Sequence, residues 1–181
     1  MKRHLALICL LICCLAFAGT AFAAKRHHIR REKSTPIVFL NTDSISSYNL
    51  IYFAQNLIGT NYRPASSDPS RGFDCSGFVS YVFKSFGANV PRSSNEFFNI
   101  GRKINIEDAR TGDIILFTGT KSHHPHSIGH VGIVYCNDGG ALKFIHSTSG
   151  KEYGVTISEM DDTYKHRFVQ VIRVLNQNDG L

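Results

Sequence analysis

The periodicity of the apolar residues changes once along this chain, and that change restricts the fold more than any other feature of the sequence. Up to about residue 101, apolar side chains recur at the three- and four-residue spacing of amphipathic helices. From residue 111 onward they form short runs rich in β-branched and aromatic residues, as strands do. Helices followed by strands predict a single α+β domain with an antiparallel sheet, which we place at residues 46–175.

Three helices are predicted before the sheet. Ser46 or Ser47 can cap the first helix, and Asp74 can cap the second. Residues 93–96 (SSNE) have the form of a capping box and predict a short third helix. The strands are predicted at residues 114–117, 131–135, 142–145, 153–157 and 168–174.

Residues 1–23 have the parts of a secretory signal peptide. Lys2 and Arg3 form a charged start, an apolar stretch follows, and small residues stand at the cleavage position. The apolar stretch is too short for a stable membrane span. A lipoprotein signal is the alternative, but the bulky Ile12 precedes Cys13, where a small residue is expected. We therefore expect an exported protein of the periplasm or cell envelope.

Residues 24–45 are predicted to be a basic, flexible and solvated arm, because they lack hydrophobic periodicity. Loss of Lys2 and Arg3 with the signal would lower the net charge from +6 to +4, and residues 25–33 (KRHHIRREK) carry much of the remainder. Export separates the chain from nucleic acid, so we expect no nucleic-acid partner. An anionic envelope surface suits the arm better. Residues 176–181 are predicted to be a C-terminal tail.

Only two of the five cysteines, Cys75 and Cys136, lie outside the predicted signal peptide. A disulfide between them is the structural alternative to a reactive thiol, because export leads to an oxidising compartment. Two thiols at this spacing match no zinc-binding pattern, and we expect no cofactor.

Cys75 takes the first position of the second helix if Asp74 is the N-cap. Unpaired backbone N–H groups and the helix dipole favour a thiolate there, so we expect a pKa well below the value near 8.5 of a free cysteine. Ser76 and Gly77 are small and leave the sulfur open to a substrate. Backbone N–H groups at the helix start can also bind an oxyanion. The setting suits a nucleophile, provided that a base reaches it.

His130 and His146 are the two of nine histidines that lie on predicted strands, joined by a turn at residues 137–139. If Cys136 pairs with Gly140, His130 pairs with His146 on the same face, with Cβ atoms about 5 Å apart. A two-residue shift would leave the histidines diagonal and still within reach. His130 would then be the base, and His146 would orient its ring. Two ordinary, half-exposed histidines are the alternative.

Two observations favour the catalytic interpretation. Gly132 shares a face with His130 and would let another group approach the sheet closely. Cys136 lies six residues along the strand from His130, or some 20 Å at about 3.3 Å per residue. If Cys75 lies against His130, it cannot reach Cys136 to form a disulfide.

Three further histidines, His123, His124 and His126, lie in the loop 121–129. No carboxylate accompanies them, which favours a mobile polar loop over a metal site. We therefore predict no bound metal.

These residues and their flanks resemble the NlpC-type papain-like cysteine peptidases of bacterial cell walls. The resemblance spans essentially the whole predicted domain. It implies a papain-like fold, with the helix of the nucleophile packed on an antiparallel sheet. It also implies hydrolysis of peptidoglycan stem peptides, typically between γ-D-glutamate and a diamino acid. The matching segments are Gly59-Thr60-Asn61-Tyr62, Phe73-Asp74-Cys75-Ser76-Gly77-Phe78-Val79, Pro91-Arg92-Ser93-Ser94, Thr111-Gly112-Asp113-Ile114, Gly129-His130-Val131-Gly132-Ile133 and Phe144-Ile145-His146.

The resemblance implies a role for each matching residue. Cys75 would be the nucleophile, His130 the general base and later acid, and His146 the orienting third residue. Tyr62 would lie near the oxyanion or the substrate. Four residues would line the cleft, each with a cap or turn role as the alternative: Asp74, Ser76, Arg92 and Ser93.

The sequence departs from the family pattern at residues 63–66 (RPAS), where many relatives carry a glycine pair, and in the loop 121–129, which has the character of an insertion. It contains no recognisable wall-binding repeat. A thiol amidase, an acyltransferase and a non-catalytic wall-binding module remain alternatives, although a binder would not need Cys75, His130 and His146 together. We expect a monomer.

Overall fold

The computed structural model describes residues 42, 44–120 and 127–176. These residues form an α+β domain in which helices precede an antiparallel sheet, and the predicted fold class is confirmed. The predicted signal peptide, almost all of the basic arm and most of the C-terminal tail lie outside the described residues. Within the described ranges, no helix has the length and apolar character needed to cross a membrane.

Helix α1 spans Ser47–Gln55. Its N-cap is Ser46, whose side chain accepts a hydrogen bond from the backbone N–H of Asn49 at 3.4 Å, so the first of the two predicted caps is confirmed. Beyond Gln55 the chain continues in turns to Gly59, whose φ of +86° lies in the region that favours glycine. The inward side of the helix buries Leu50, Ile51 and Ala54.

Helix α2 spans Cys75–Ser85 and begins at the predicted residue. The Asp74 side chain caps it by accepting a hydrogen bond from the backbone N–H of Gly77 at 2.6 Å. Loss of such a cap typically costs about 1 kcal/mol. The apolar side chains that pack this helix on the sheet are fully buried: Phe78, Val79, Val82 and Phe83.

The third predicted helix exists as a 3-10 helix, Ser94–Asn99, and the predicted capping box is wrong. Ser93 stands at the N-cap position without a side-chain hydrogen bond. The backbone N–H of Glu96 instead donates to the carbonyl of Ser93 at 3.1 Å, which is the spacing of a 3-10 turn. A capping box needs an α-helical first turn, which this segment does not form.

Six strands form one antiparallel sheet in the order β3-β8-β4-β5-β6-β7, and β1 and β2 form a small separate ribbon. The five predicted strands are confirmed as β4 to β8. The remaining short elements were not predicted, because two to six residues carry too little periodicity. These are β1, β2, β3, the 3-10 turn Ile106–Asp108 and helix α3 (Asp162–Arg167). The strands are β1 Ser67–Asp68, β2 Gly72–Phe73, β3 Arg102–Ile104, β4 Ile114–Thr118, β5 Ile128–Cys136, β6 Lys143–Thr148, β7 Gly154–Glu159 and β8 Phe168–Arg173.

Both faces of the sheet are covered. We call the face under α1 and α2 the helix face; its buried sheet residues include Ile114, Val131, Ile133 and Ile145. We call the opposite side the α3 face; its buried residues include Phe117, Val134 and Phe144, and Tyr164 of α3 packs against them. Side chains that alternate along β5 and β6 therefore enter two different apolar clusters.

The register between β5 and β6 differs from the prediction by two residues. Ile133 pairs with Ile145, and Cys136 pairs with Lys143 rather than with Gly140. The predicted pairing is wrong because the turn is longer than three residues and β5 contains a bulge. An even shift keeps every side chain on its face, so the predicted grouping of side chains survives.

Candidate active site

The start of α2 is held by the carboxylate of Asp74. Its Oδ1 accepts hydrogen bonds from the Gly77 N–H at 2.6 Å and from the Ser76 hydroxyl at 3.2 Å. The Arg92 guanidinium donates to both carboxylate oxygens, at 2.9 and 2.6 Å. The Asp74 side chain is only 12% exposed, and this two-point ion pair offsets the cost of burying its charge. Three predicted cleft residues thus form one unit beside Cys75.

Gly77 has no room for a side chain. A Cβ there would overlap the carbonyl oxygen of Ser66, which accepts a hydrogen bond from the Asp74 N–H at 3.0 Å. Ser66 ends the segment 63–66, where the sequence departs from the family pattern. In that segment Ala65 has a φ of +55°, so a residue with a Cβ occupies a conformation that favours glycine. The departure therefore leaves local backbone strain next to the site.

Cys75 lies where β5 and β6 separate. The pairing of these strands ends at Ile133, although β5 continues beyond it. In the part of β5 that pairs with β4 but not with β6, the backbone N–H of Val131 hydrogen-bonds the Cys75 thiol. Ser147 of β6 donates its hydroxyl to the carbonyl of Phe73 at 2.7 Å. The start of α2 is thus wedged between the two strands, which brings the half-buried thiol to the level of the sheet.

Burial raises the pKa of the Cys75 thiol, and the nearby charge of Asp74 raises it further. The backbone N–H groups of Val131, Ser76 and Cys75 itself oppose this rise without cancelling it. The predicted low pKa is therefore wrong, because desolvation and the anionic N-cap outweigh the donors of the helix start. At rest the site holds a thiol, whose proton a base must remove during the reaction.

His130 and His146 lie together on the same face, as predicted. The Nε2 of His130 and the Nδ1 of His146 are 2.8 Å apart, and the two rings are nearly perpendicular. The shifted register makes these residues diagonal neighbours instead of a direct pair. A Cβ on Gly132 would come within 3.2 Å of the His146 Cβ, so this glycine does permit the close approach. The Nδ1 of His130 is the ring nitrogen that the contact with His146 does not use.

The imidazole pair lies in apolar surroundings on the α3 face. The His130 ring packs against Phe117, and the His146 ring packs against Phe144. Burial lowers the pKa of His130 well below its usual value, with smaller effects from His146 and Arg167. Burial, with a contribution from Arg167, lowers the pKa of His146 to about 3. Both rings are therefore neutral at pH 7, the form in which an imidazole accepts a proton.

Behind the imidazole pair are three polar residues that the sequence did not indicate. The Oγ of Ser158 lies 2.9 Å from the Nε2 of His146, and the Tyr164 hydroxyl hydrogen-bonds Ser158. Arg167 donates two hydrogen bonds to the carbonyl of Thr118, at 2.7 and 3.1 Å. These contacts hold α3 against the edge of the pair.

Helix α3, which supplies two of these residues, does have a weak sequence signature. Asp161 can cap a helix, and a basic last turn follows at residues 165–167. In the structure the Asp161 side chain accepts a hydrogen bond from the backbone N–H of Tyr164 at 2.8 Å. The cap followed by basic residues could have indicated the helix, but not its position against the histidines.

Tyr62 lies near enough to Cys75 to feel its charge. Burial raises the pKa of the Tyr62 hydroxyl, followed by the charges of Cys75, Asp74 and Tyr153. The Tyr62 backbone N–H donates to the Tyr153 carbonyl at 2.9 Å, and the two rings pack together. Tyr153 was not predicted; it is exposed and has a φ of +45°, a strained value for a residue other than glycine. It is a candidate for substrate contact at this edge.

Other predicted features lie apart from this cluster. Ser93 is exposed and follows Arg92 in the chain, without a capping bond of its own. Cys75 and Cys136 are both free, so the disulfide alternative is excluded. His123, His124 and His126 lie outside the described residues. In the part of the chain that the structure describes, no three His, Cys, Asp or Glu side chains are grouped to hold a metal ion.

Fold and site together define a class of protein. The domain is a papain-like α+β fold in which a thiol at a helix start contacts the backbone of the strand that carries one member of a buried imidazole pair. Comparison with known protein families agrees with this class. The model described as the NlpC/P60 family matches residues 59–173, and the chain belongs to this family.

Individual relatives share the domain. The chain is 36% identical over 112 residues to the gamma-DL-glutamyl hydrolase of Bacillus subtilis (strain 168), covering 61% of this chain and 25% of that protein. It is 35% identical over 122 residues to the murein DD-endopeptidase MepS/murein LD-carboxypeptidase of Escherichia coli (strain K12), covering 66% and 58%. The crystal structure of the NlpC/p60 domain of peptidoglycan hydrolase SagA superposes with a TM-score of 0.58 at 28% identity, covering 71% of this chain and 99% of that chain. The chain thus spans between a quarter and three fifths of these two curated relatives.

Proposed function

We propose that this protein is an exported cysteine endopeptidase that hydrolyses peptidoglycan stem peptides between γ-D-glutamate and a diamino acid. The observation that carries the proposal is the hydrogen bond from the backbone N–H of Val131 to the Cys75 thiol, because Val131 follows His130, whose buried ring is paired with that of His146. The names of the relatives support the substrate class, since one is a gamma-DL-glutamyl hydrolase and another a murein endopeptidase. Because those names specify different bonds, the bond is the part that most needs a direct test.

Acylation begins with a proton transfer. His130 accepts the Cys75 proton at Nδ1 while the sulfur attacks the carbonyl carbon of the scissile amide. A bond between Sγ and carbon forms, and the carbonyl oxygen becomes an oxyanion. The carbon–nitrogen bond then breaks, the amine leaves with the proton from His130, and a thioester remains.

Deacylation reverses these proton transfers with water as the nucleophile. His130 accepts a proton from water, which attacks the thioester carbon. The bond between carbon and Sγ breaks, the peptide leaves with a new carboxylate, and Cys75 regains its proton. His146 keeps the His130 ring oriented through both steps.

Stabilisation of the oxyanion is assigned to the start of α2. The backbone N–H of Cys75 is a donor at a helix N-terminus, and the hydroxyl of Tyr62 is near enough for the charge of Cys75 to raise its pKa. Removal of one such donor usually costs about 10²- to 10³-fold in rate. We therefore place the carbonyl oxygen of the substrate between this N–H and Tyr62.

The charged side of the cleft is assigned to substrate binding. The Arg92 side chain is 44% exposed, so its guanidinium can meet a stem-peptide carboxylate while it holds Asp74. Asp74 and Ser76 position that guanidinium, and the exposed Ser93 can contact a substrate amide. A cavity of about 510 Å³ opens beside Arg92. It is lined in part by Ser80, Tyr81 and Lys84.

Digestion of purified peptidoglycan, with the fragments identified by mass spectrometry, tests the proposal. The expected products carry a new γ-D-glutamyl carboxyl end and a new amino end on the diamino acid. Cys75→Ala should release nothing. Cys136→Ala is the matched control, because it removes the other free thiol, and it should digest as the unmodified chain does.

Other products would redirect or overturn the proposal. Cleavage at D-alanyl bonds would support peptidoglycan as the substrate and contradict the proposed γ-D-glutamyl bond. Free stem peptides and intact glycan would indicate an amidase that cuts the sugar–peptide link. A folded protein that releases nothing but cosediments with wall sacculi would be a binding module, and the hydrolase proposal would be wrong.

A further inference from the structure

His146 is joined on its far side to polar groups that the proposed mechanism does not use. Its Nε2 lies 2.9 Å from the Oγ of Ser158 on β7. The hydroxyl of Tyr164 on α3 hydrogen-bonds Ser158 in turn. Four side chains from four elements therefore form a series that runs from His130 through His146 and Ser158 to Tyr164. We call this series the polar relay.

Aromatic rings hold the polar relay in one arrangement. The centre of the Tyr164 ring lies 5.8 Å from that of His146, 4.8 Å from that of Phe144 and 5.2 Å from that of Phe117. Phe117, Phe144 and His146 are fully buried. The His146 ring therefore cannot turn over to exchange its two nitrogens without displacing tightly packed neighbours.

The polar relay controls which ring nitrogens carry protons. A neutral imidazole has one protonated nitrogen. For His130 to accept a proton at Nδ1, its own proton must lie on Nε2 and be donated to Nδ1 of His146. His146 then carries its proton on Nε2, and the Ser158 oxygen must accept it. Ser158 can donate its one proton onward to the Tyr164 oxygen.

The opposite order would disable the base. If Ser158 donated to Nε2 of His146, then His146 would carry its proton on Nδ1. That proton would be donated to Nε2 of His130, and the His130 proton would lie on Nδ1, the nitrogen that the proposed mechanism needs unprotonated. The direction in which the Ser158 hydroxyl donates its hydrogen bond thus decides whether His130 can accept a proton at Nδ1.

We propose that Ser158 is a positioning residue whose hydroxyl, oriented by Tyr164, holds His146 and His130 in the tautomers that let His130 accept the Cys75 proton. The inference rests on the proposed thiol hydrolase function and deepens it. Ser158 acts through His146 alone, and the role of Tyr164 is to accept a hydrogen bond from the Ser158 hydroxyl.

The charges around the polar relay favour neutral rings. The guanidinium of Arg167 lies 5.8 Å from the centre of the Tyr164 ring, and its charge adds to burial in lowering the pKa of both histidines. Burial raises the pKa of Tyr164, the hydrogen bond with Ser158 and the charge of Arg167 oppose this rise, and the charges of Asp161 and Glu152 add to it. The Tyr164 hydroxyl therefore stays protonated near pH 7, and its oxygen can accept a hydrogen bond from Ser158. Tautomer choice is therefore the variable left for Ser158 to control.

Four variants of the full chain test this inference. Ser158→Ala removes the acceptor, and Ser158→Thr restores a hydroxyl. Tyr164→Phe removes the onward acceptor while keeping the ring that packs on His146. Thr163→Val is the matched control, because it removes a hydroxyl from an exposed position of the same helix. Nitrogen-15 NMR of the imidazole rings near pH 7 reports directly which ring nitrogens are protonated.

In the unmodified chain, both histidines should carry their proton on Nε2. Ser158→Ala should move part of the His130 population to the Nδ1 tautomer and lower kcat about 10- to 100-fold, with little change in KM. The loss should be smaller than the roughly 10⁴-fold effect of a triad base held wholly in the wrong tautomer, because the wrong form is only partly populated. Ser158→Thr should restore both readouts, Tyr164→Phe should shift them in the same direction by less, and Thr163→Val should change neither.

The inference is overturned if the unmodified chain carries the His130 proton on Nδ1. It is also overturned if Ser158→Ala keeps both tautomers, or if Ser158→Thr fails to rescue a folded protein. If Ser158→Ala does not fold, Tyr164→Phe interrupts the polar relay at a second point. Unchanged tautomers in Tyr164→Phe would then overturn the inference. Because tautomers are measured without substrate, a chain with no hydrolase activity would refute the proposed function while leaving this measurement intact.

Discussion

The thiol and the imidazole pair lie in opposite kinds of surroundings. Cys75 is half-buried beside a charged unit, the ion pair of Asp74 and Arg92. His130 and His146 are buried among aromatic rings, with one cation, Arg167, close to them. The thiol therefore lies at a polar edge of the cleft, whereas the imidazoles lie in the apolar interior.

Both surroundings nevertheless favour the neutral form of the group that they hold. Burial and the Asp74 charge raise the pKa of the thiol, while burial and the Arg167 charge lower the pKa of both imidazoles. A resting thiolate–imidazolium pair is disfavoured from both sides. A helix start therefore does not by itself ionise a thiol, because the charge of the N-cap and the loss of water act on the same sulfur.

Removal of the thiol should have the largest effect. We expect Cys75→Ala to lower kcat by about 10³-fold or more, because the covalent intermediate needs the sulfur. Far-UV circular dichroism should show an intact fold, since the side chain is half-buried and its helix is capped by Asp74. Substantial activity in this variant, measured on isolated muropeptides, would contradict the mechanism.

The two imidazoles should differ in effect although they share one environment. His130→Ala should lower kcat by about 10²- to 10⁴-fold, the usual contribution of a general base. His146→Ala should cost less, because His146 orients the ring and does not transfer the proton to substrate. Steady-state kinetics on both variants measure these losses, and melting temperatures are the control for folding. Equal or inverted losses would contradict this assignment of roles.

Acid should destabilise the imidazole side. The folded-state pKa of both histidines is lowered, so below about pH 6.5 the unfolded chain binds protons that the folded chain does not. The contribution of the neutral histidines to the free energy of unfolding is present above that pH. It is lost as pH falls, by up to about 1.4 kcal/mol per pH unit for each histidine. Urea midpoints near pH 7.5 and near pH 5 measure it. His130→Gln/His146→Gln should show a shallower pH dependence, and an equal slope would contradict the lowered values.

The smallest expected effect concerns the charge of the N-cap. Asp74→Asn keeps a capping oxygen but removes the negative charge, so the pKa of Cys75 should fall. Alkylation by iodoacetamide near pH 7 should then become faster, by up to about tenfold for each unit of pKa. Asp68→Asn is the control for an aspartate on the β1–β2 ribbon. Slower alkylation in Asp74→Asn would show that the carboxylate favours the thiolate.

Much of the site was predictable because its signals are local. Asp74 as N-cap and Cys75 as the first residue of a helix follow from a few neighbouring side chains. The common face of His130 and His146 follows from strand alternation, and an even error in register left it unchanged. The polar relay was not predictable, because Ser158 and Tyr164 are brought to His146 by strand pairing and by a six-residue helix.

Local sequence patterns set the order of helices and strands, the helix start that carries the thiol and the face that carries both imidazoles. These depend on period and capping, which act over a few residues. Only the tertiary structure decided the protonation of those groups, because a pKa depends on burial and on charges from distant parts of the chain. The separation of β5 and β6 around the start of α2, and the cation of α3 near the histidines, are contacts of that kind.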